Sequence, residues 1–320
     1  MEYSKLIEKE ISKQKFGKHP DSLYEPIRYI MSIGGKRMRP LLTLLAYSLY
    51  KKDVKTSVPY AVSVEAFHNF TLLHDDIMDK APLRRGMATV HEKWNINTAI
   101  LSGDVMLVKV YDMLLTLPAD KLKPVLSAFN KCAAEVCEGQ QLDMDFEKRD
   151  RVEEKEYITM IKLKTAVLLG YALELGAILA NAGLEQQKAL REFGINIGIG
   201  FQLKDDLLDA YADPKKFGKQ VGGDILANKK TYLLIQALEK TSGKQKQELA
   251  GWLEAKKFNK KEKVEAVKSI YNDLNIPQLT EKKVNQYFNK GFASLEKVKG
   301  NAAAKERLRK FAEDLIGRQV

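Results

Sequence analysis

Apolar residues recur along most of the chain at spacings of three and four positions, which is the period of a helix that buries one face. Ala, Leu, Lys and Glu dominate these stretches, and short Gly, Pro and Asp segments interrupt them, as at Gly34-Gly35, Pro82, Pro118 and Gly222-Gly223. The pattern predicts helices over residues 40–50, 60–79, 97–117, 121–139, 155–182, 186–210, 232–240, 245–255, 260–275 and 302–318.

This organisation predicts the fold class. The sequence shows no alternation of strands with helices, no repeat of fixed period and no linker rich in Ser or Gly. The 20 Gly and 9 Pro are too few for a loop-rich all-β protein. We therefore expect an all-α fold, a single large helical bundle formed by one domain over residues 1–320.

Three further features bear on location. The most apolar stretch, 161–180, is interrupted by Lys162, Lys164 and Glu174, so we expect no membrane span. The first ten residues, MEYSKLIEKE, carry no apolar core, so we expect no signal peptide. Cys132 and Cys137 are the two cysteines, which excludes a disulfide scaffold and predicts a cytoplasmic protein in which both lie in the core.

The net charge of +11 raises the question of nucleic-acid binding. Residues 241–320 contain 18 Lys or Arg and 10 Asp or Glu and so carry +8 of that charge. There the two signs alternate, which is typical of solvated helix faces, and no aromatic residues are interleaved with a basic stripe. We therefore expect no nucleic-acid partner.

Two acidic motifs repeat one spacing of aspartates, DDIMD at 75–79 and DDLLD at 205–209. Asp75 and Asp79 are four residues apart, as are Asp205 and Asp209, so each pair shares a helix face. Paired carboxylates suit Mg²⁺, which takes few carboxylates and leaves positions for phosphate oxygens. One such motif could equally be a polar helix end, but its recurrence after a second apolar helix favours metal binding.

Basic residues near both motifs could bind the phosphates. GGKRMRP at 34–40 places three cations within four residues, and Arg84 and Arg85 follow the first acidic motif. Lys164 lies inside an apolar segment, where an isolated ammonium is costly. Lys219 and Lys229 follow the second acidic motif. Arg and Lys beside glycine-rich backbone suit phosphate groups, although Arg37 and Lys230 taken singly are interpreted as ordinary surface charge.

Together these motifs resemble those of the trans-isoprenyl diphosphate synthases, also called polyprenyl synthetases. The resemblance covers residues 34–232 in the family's order, and FAEDLIGRQV at the end of the chain is also similar. Each motif is weak alone, but the ordered set is highly specific. Its members are GGKRMRP, LLHDDIMDKAPLRRG, EGQQLDMDFE, KT, GIGFQLKDDLLD, FGKQVGGDI and NKKTYL.

The resemblance implies that the chain condenses isopentenyl diphosphate with an allylic diphosphate after Mg²⁺-assisted ionisation to a carbocation. It implies three Mg²⁺ ions per active site and a homodimer. By the same resemblance, Asp75, Asp79 and Asp205 are metal ligands, and Asp209 and Asp76 support them. The implied substrate contacts fall into three groups: Arg84, Lys164, Lys219, Thr165 and Gln202 for the allylic diphosphate; Lys36, Arg39, His68 and Arg85 for isopentenyl diphosphate; and Gln140, Asp143 and Lys229 for orientation and closure.

The position of His68 in the sequence allows two interpretations. It lies seven residues, or two helical turns, before Asp75 and so shares its face. A lone His on an apolar helix is more often a satisfied core group, but the register with Asp75 and the family resemblance favour a substrate contact.

Chain length of the product should depend on the residues before Asp75. At 1.5 Å of rise per residue, Phe70 and Thr71 lie roughly 6–8 Å below Asp75 along the helix. In similar synthases an aromatic residue at the position of Phe70 marks short-chain products. Synthases that make fifteen-carbon products commonly add a second aromatic residue beside it or a two-residue insertion in the aspartate motif. Neither feature occurs here. We expect geranylgeranyl diphosphate, with farnesyl diphosphate as the alternative, unless a residue on another helix forms the floor.

Other classes fit less well. A class I terpene synthase has one aspartate-rich motif, a different second metal motif and no site for a second diphosphate. A non-catalytic partner subunit would have degraded aspartates, whereas both motifs here are intact. A basic helical binding module would bind polyanions without magnesium.

Overall fold

The computed structural model describes residues 2–212 and 222–317. Helices account for most of both ranges, and within them the only strands are the two-residue pair β1 (Leu83–Arg84) and β2 (Met87–Ala88), which run antiparallel. This confirms the predicted all-α class. The helices are α1 (Glu2–Lys13), α2 (Asp21–Ser32), α3 (Met38–Ser48), α4 (Val58–Met78), α5 (Val90–Lys93), α6 (Ile96–Leu114), α7 (Ala119–Glu147), α8 (Glu154–Ile161), α9 (Val167–Leu179), α10 (Leu184–Tyr211), α11 (Gly223–Leu226), α12 (Tyr232–Lys240), α13 (Gly243–Glu254), α14 (Lys260–Asp273), α15 (Ile276–Glu296) and α16 (Ala302–Ile316).

The chain forms two compact units, each assembled from separate segments. The first consists of Met1–Lys131, Tyr171–Arg191 and Val298–Leu308, and the second of Cys132–Gly170, Glu192–Lys297 and Arg309–Val320. In the first unit α4 packs against α3 and α6, and most of its length is buried. This position explains why its sequence is apolar almost all round rather than along one stripe.

The second unit has its own apolar core. Leu207 of α10, Leu233 of α12 and Val267 of α14 are each about 1% exposed and belong to one buried cluster. That cluster fixes the last turns of α10, which carry the second acidic motif. In both units, therefore, an aspartate motif lies at the carboxyl end of a well-buried helix.

Several sequence predictions were wrong in detail. The helix predicted to end at Gly139 continues to Glu147. A side chain at Gly139 would overlap the backbone of Lys164, so this glycine allows close packing and does not end the helix. The helix predicted over 155–182 is divided by a π-helical turn at Lys162–Ala166. Helices α1, α2, α5, α11 and α15 lie outside the predicted segments. Cys137 is exposed, whereas Cys132 is buried.

None of the helices in the described ranges combines the length and the apolar content that crossing a bilayer requires.

Candidate active site

The first acidic motif occupies the end of α4. Asp75 and Asp76 lie in its last turn, and Asp79 is the C-cap, whose backbone N–H donates to the carbonyl of Asp75 at 2.8 Å. Lys80 then adopts a left-handed conformation with φ of 50° and ends the helix. Asp75 is half-buried and Asp79 is exposed, whereas Asp76 is only 1% exposed. The motif therefore presents its outer two carboxylates and buries the middle one.

Arg84 binds the buried carboxylate. Its Nε lies 2.9 and 2.8 Å from the two carboxylate oxygens of Asp76, and its Nη2 lies 2.6 Å from Oδ1. The same Nη2 lies 3.5 Å from Oδ2 of Asp75. Burial lowers the pKa of Arg84, but Asp76 and Asp75 outweigh it and raise the pKa above its ordinary value. For Asp76, burial has the opposite effect and raises the pKa above its ordinary value, although Arg84 opposes the shift.

The loop before α3 approaches Arg85. Gly34 and Gly35 have φ of 82° and 137°, and Arg85 donates to the carbonyl oxygen of Gly34. A Cβ atom at Gly35 would lie 2.7 Å from Nη1 of Arg85, and the positive φ of this residue favours glycine. Lys36 in this loop is exposed and Arg39 is half-buried.

His68 lies in the field of these arginines. Burial lowers the pKa of His68 well below its ordinary value, and the positive charges of Arg39, Arg85 and Arg84 lower it further. The imidazole is therefore neutral at pH 7. The structure thus brings Arg39, Arg84, Arg85 and His68 together as a cationic site in which an anion would relieve the repulsion.

The second acidic motif is held by neutral donors. Asp206 is 5% exposed, and it accepts hydrogen bonds from the Tyr157 hydroxyl and, at 3.1 Å, from Nε2 of Gln202. The Thr165 hydroxyl extends this chain to Oε1 of Gln202 at 3.4 Å. Burial raises the pKa of Asp206 to about 7, with a contribution from the charge of Asp224, while Tyr157 and Gln202 oppose the shift.

The outer aspartates of this motif, Asp205 and Asp209, are half-buried. The Oδ2 atom of Asp209 accepts the backbone N–H of Asp224 at 2.9 Å, which fixes the start of the segment leading to Lys229. Asp206, Asp224 and Lys229 line one cavity of this unit, and Lys229 is exposed. Lys219 lies outside the described residues.

The π-helical turn Lys162–Ala166 carries the KT motif. The Nζ atom of Lys164 lies 2.6 Å from Oδ2 of Asp143, so the charge that looked isolated in the sequence has a carboxylate partner. The Nε2 atom of Gln140, one residue after the close contact at Gly139, is buried with no hydrogen-bond partner among the described residues. A π-turn in a helix is frequently a functional feature, and here it brings Lys164, Thr165 and Asp143 into one site.

Comparison with known proteins identifies the family. A profile of the polyprenyl synthetases matches residues 20–274. The chain is 44% identical over 223 residues to a geranylgeranyl diphosphate synthase of Methanosarcina mazei, covering 69% of each protein. It is 38% identical over 254 residues to a geranylfarnesyl diphosphate synthase of Natronomonas pharaonis, covering 74% of each. A crystal structure of a geranylgeranyl pyrophosphate synthase superimposes with a TM-score of 0.92 at 42% identity, covering 100% of this chain and 97% of that one.

The chain belongs to the polyprenyl synthetase family. It is accordingly a prenyltransferase with the all-α isoprenoid synthase fold, as its motifs predicted.

The acidic residues of this polyprenyl synthetase fit magnesium. Within residues 2–212 and 222–317, no three His, Cys, Asp or Glu side chains converge into a cage that could hold a metal ion on their own. Each motif instead offers two accessible carboxylates, at 75 and 79 and at 205 and 209. Mg²⁺ is usually bound in this way, through one or two carboxylates, with water and substrate phosphates completing its shell.

The residues predicted to set product length, Phe70 and Thr71, lie on α4 before the first motif. Phe70 is 9% exposed, and its ring centroid lies 4.9 Å from that of His74 and 5.6 Å from that of Phe67. Phe67 continues the stack to Phe129 at 5.1 Å. Thr71 is half-buried and donates its hydroxyl to the carbonyl of His68 at 2.8 Å. Phe70 thus lies between His74 and Phe67 in an aromatic cluster beneath the motif.

Sequence reasoning missed the partners of the buried charges. Tyr157, which binds Asp206, lies in no motif and gave no signal. Arg37 was interpreted as surface charge, but it is 6% exposed and pairs with Glu65 at 2.8 Å. The available signal was Glu65 itself, a single charge inside the apolar run AVSVEAF, because a buried carboxylate requires a partner.

Proposed function

We propose that the chain condenses isopentenyl diphosphate with dimethylallyl, geranyl and farnesyl diphosphates to give geranylgeranyl diphosphate. The observation that carries this proposal is the cationic site of Arg39, Arg84, Arg85 and His68 beside the first aspartate motif. A chain-elongating enzyme must hold a second diphosphate besides the one that ionises, whereas a terpene synthase needs no such site. The twenty-carbon product is supported by the similarity to the geranylgeranyl diphosphate synthase of Methanosarcina mazei.

The aspartates are proposed as magnesium ligands. Asp75, Asp79, Asp205 and Asp209 would bind the metal, with three Mg²⁺ ions per active site. Bound magnesium would neutralise the charge that develops on the departing diphosphate. The arrangement of accessible outer carboxylates around a buried middle one supports this assignment in both motifs.

The cationic side chains would divide between two diphosphates. We assign Arg84, Lys164 and Lys219 to the allylic diphosphate, with Thr165 and Gln202 near the reacting carbon. Isopentenyl diphosphate would be held by Lys36, Arg39, His68 and Arg85. Gln140 and Asp143 would help to orient metal and phosphate, and Lys229 would close over the site.

The chemistry then follows from charge. Cations aimed at the leaving diphosphate lower the barrier to breaking the carbon–oxygen bond. The double bond of isopentenyl diphosphate attacks the resulting allylic cation, and loss of a proton completes the new isoprene unit. No protein nucleophile takes part. The neutral His68 suits this site because a ring N–H can donate a hydrogen bond to a diphosphate oxygen while the arginines supply the positive charge.

The enzyme is proposed to be a cytoplasmic homodimer of single-domain chains. Large apolar side chains stand exposed on and just after α6, including Leu101 at 58%, Val108 at 57% and Leu115 at 58%. Such a row on one helix is typical of a surface that pairs with a partner.

The test is a product assay. The enzyme is incubated with labelled isopentenyl diphosphate, Mg²⁺ and each allylic primer in turn, and the dephosphorylated products are separated by chromatography. A twenty-carbon alcohol from all three primers supports the proposal. A fifteen-carbon product would favour farnesyl diphosphate synthase, a twenty-five-carbon product would extend the limit by one unit, and no incorporation with a cyclised product would indicate a terpene synthase.

A further inference from the structure

Arg37 occupies an unusual position at the entrance to α3. It is the N-cap residue, with φ of 46° and ψ of 40°, and it is 6% exposed. A left-handed conformation is uncommon for a residue other than glycine, and a buried charge is costly unless it is paired. Its neighbours Lys36 and Arg39 are both assigned above to isopentenyl diphosphate.

All three donor groups of the Arg37 guanidinium are used. Nη1 lies 2.8 Å from Oε1 of Glu65, Nη2 lies 2.7 Å from the carbonyl oxygen of Met31, and Nε lies 3.0 Å from Oε1 of Glu8. Burial lowers the pKa of Arg37, but the two carboxylates outweigh it and the pKa is raised. The guanidinium therefore remains charged and fixed in one orientation.

Glu65 is held equally firmly on α4. It is 2% exposed, and Nδ2 of Asn69 donates to its backbone carbonyl at 2.8 Å and approaches Oε1 at 3.5 Å. Glu65 precedes His68 by three residues, so the two lie on neighbouring positions of the same helix face. The ion pair thus joins the segment that carries Lys36 and Arg39, the end of the loop and the first turn of α3, to the helix that carries His68.

We propose that Arg37 and Glu65 are positioning residues for the isopentenyl diphosphate site. Their buried pair fixes the segment that carries Lys36 and Arg39, so that both side chains bind the same diphosphate as His68. Neither Arg37 nor Glu65 contacts substrate. The inference rests on the proposed function, because that function assigns Lys36, Arg39 and His68 to isopentenyl diphosphate.

The loop conformation explains why a buried pair is needed. Gly34, Gly35 and Arg37 all have positive φ, so the segment before α3 is neither helix nor strand. An Arg fork that binds a carboxylate and a carbonyl in fixed geometry supplies that definition, and a lysine at the same place could not bind all three partners.

The experiment compares Glu65→Gln and Arg37→Lys with the wild type in steady-state kinetics for each substrate separately. Each variant should raise the KM for isopentenyl diphosphate about tenfold, because the loop loses its fixed orientation. The KM for the allylic diphosphate should change less than twofold. A purely structural role would lower the unfolding temperature without separating the two KM values, and that result would overturn the inference.

Two matched controls sharpen the comparison. Glu8→Gln removes the partly exposed contact of the same guanidinium and should leave both KM values within twofold, because exposed ion pairs contribute little. Glu174→Gln removes a separate ion pair of the same unit, to Arg191 at 2.6 Å, and should alter stability alone. A Glu174→Gln effect equal to that of Glu65→Gln would contradict a specific role for the Arg37 pair.

Arg39→Ala distinguishes failure of this inference from failure of the proposed function. If Arg39→Ala leaves the KM for isopentenyl diphosphate unchanged, the assignment of the loop to that substrate is wrong. If Arg39→Ala raises it and Glu65→Gln does not, only the positioning role fails. Should Glu65→Gln not fold, calorimetric titration of Arg37→Lys with isopentenyl diphosphate decides the point, since unchanged affinity would refute the positioning role.

Discussion

The Nη2 atom of Arg84 lies 2.6 Å from Oδ1 of Asp76 and 3.5 Å from Oδ2 of Asp75. One guanidinium thus binds the middle aspartate of the first motif and approaches the outer one. In the second motif the middle aspartate, Asp206, is bound by the neutral groups of Tyr157 and Gln202 instead. The two motifs share a spacing, but the partners of their middle aspartates differ in charge, so the motifs are not interchangeable.

The first prediction concerns the accessible aspartates. Asp75→Ala and Asp205→Ala should each lower turnover about 10³-fold. Each variant removes a carboxylate proposed to bind magnesium, and magnesium neutralises the negative charge that develops on the departing diphosphate. Both variants should keep the wild-type helical circular dichroism. EDTA should abolish wild-type activity and added Mg²⁺ should restore it, so full activity in EDTA would contradict the metal mechanism.

The second prediction separates the two diphosphates. Lys164→Ala should raise the KM for the allylic diphosphate at least about tenfold and leave that for isopentenyl diphosphate within twofold, since an ammonium–phosphate contact is a charge-assisted hydrogen bond. Lys162→Ala is the matched control, because Lys162 lies on the same π-turn but is exposed. Equal KM changes for both substrates in Lys164→Ala would mean that the assignment of the pockets is wrong.

Much of this arrangement was predictable from the sequence, and the exceptions have physical causes. Apolar periodicity located α4 and α10 because each has to bury itself in a core, and the aspartate spacing located both motifs. Gly139 was misread as a helix end because close packing of two backbones leaves no trace in one segment. The π-turn at Lys162–Ala166 also gave no signal in the sequence.

Buried polar partners were the other gap. Lys263 is fully buried on α14, where its Nζ lies 2.7 Å from Oδ1 of Asn228 and 4.2 Å from the centroid of the Phe258 ring. In the sequence it is one lysine of a basic run, KKEK, and nothing distinguishes it from its solvated neighbours. Pairings across long sequence separations are set by tertiary packing, which a single sequence does not display.

The third prediction concerns pH and stability. The pKa of Asp206 is raised to about 7 in the folded state, chiefly by burial, from an ordinary value of 3.8. The folded protein therefore binds more protons than the unfolded chain between these values, so this group's contribution to stability is present at low pH and is lost as pH rises toward 7.

Thermal unfolding in EDTA measures this effect, because bound cations would favour the ionised carboxylate. Asp206→Asn should gain unfolding temperature relative to the wild type as the pH rises from about 4 to about 8. Asp150→Asn, at an exposed aspartate, is the control. A difference between Asp206→Asn and wild type that does not change with pH would show that Asp206 does not titrate in this range.

The last prediction is product length. Phe70 lies five residues before Asp75, and its ring contacts that of Phe67 at a centroid distance of 5.6 Å. Phe70→Ala should lengthen the main product by at least one isoprene unit at similar total turnover, because it opens space for the growing chain and touches no proposed diphosphate contact. Phe67→Leu alone should leave the product unchanged, since Phe70 still closes the path, whereas the double variant should lengthen the product further than Phe70→Ala. Chromatography of dephosphorylated products measures all three variants. An unchanged product distribution in Phe70→Ala would place the floor on another helix.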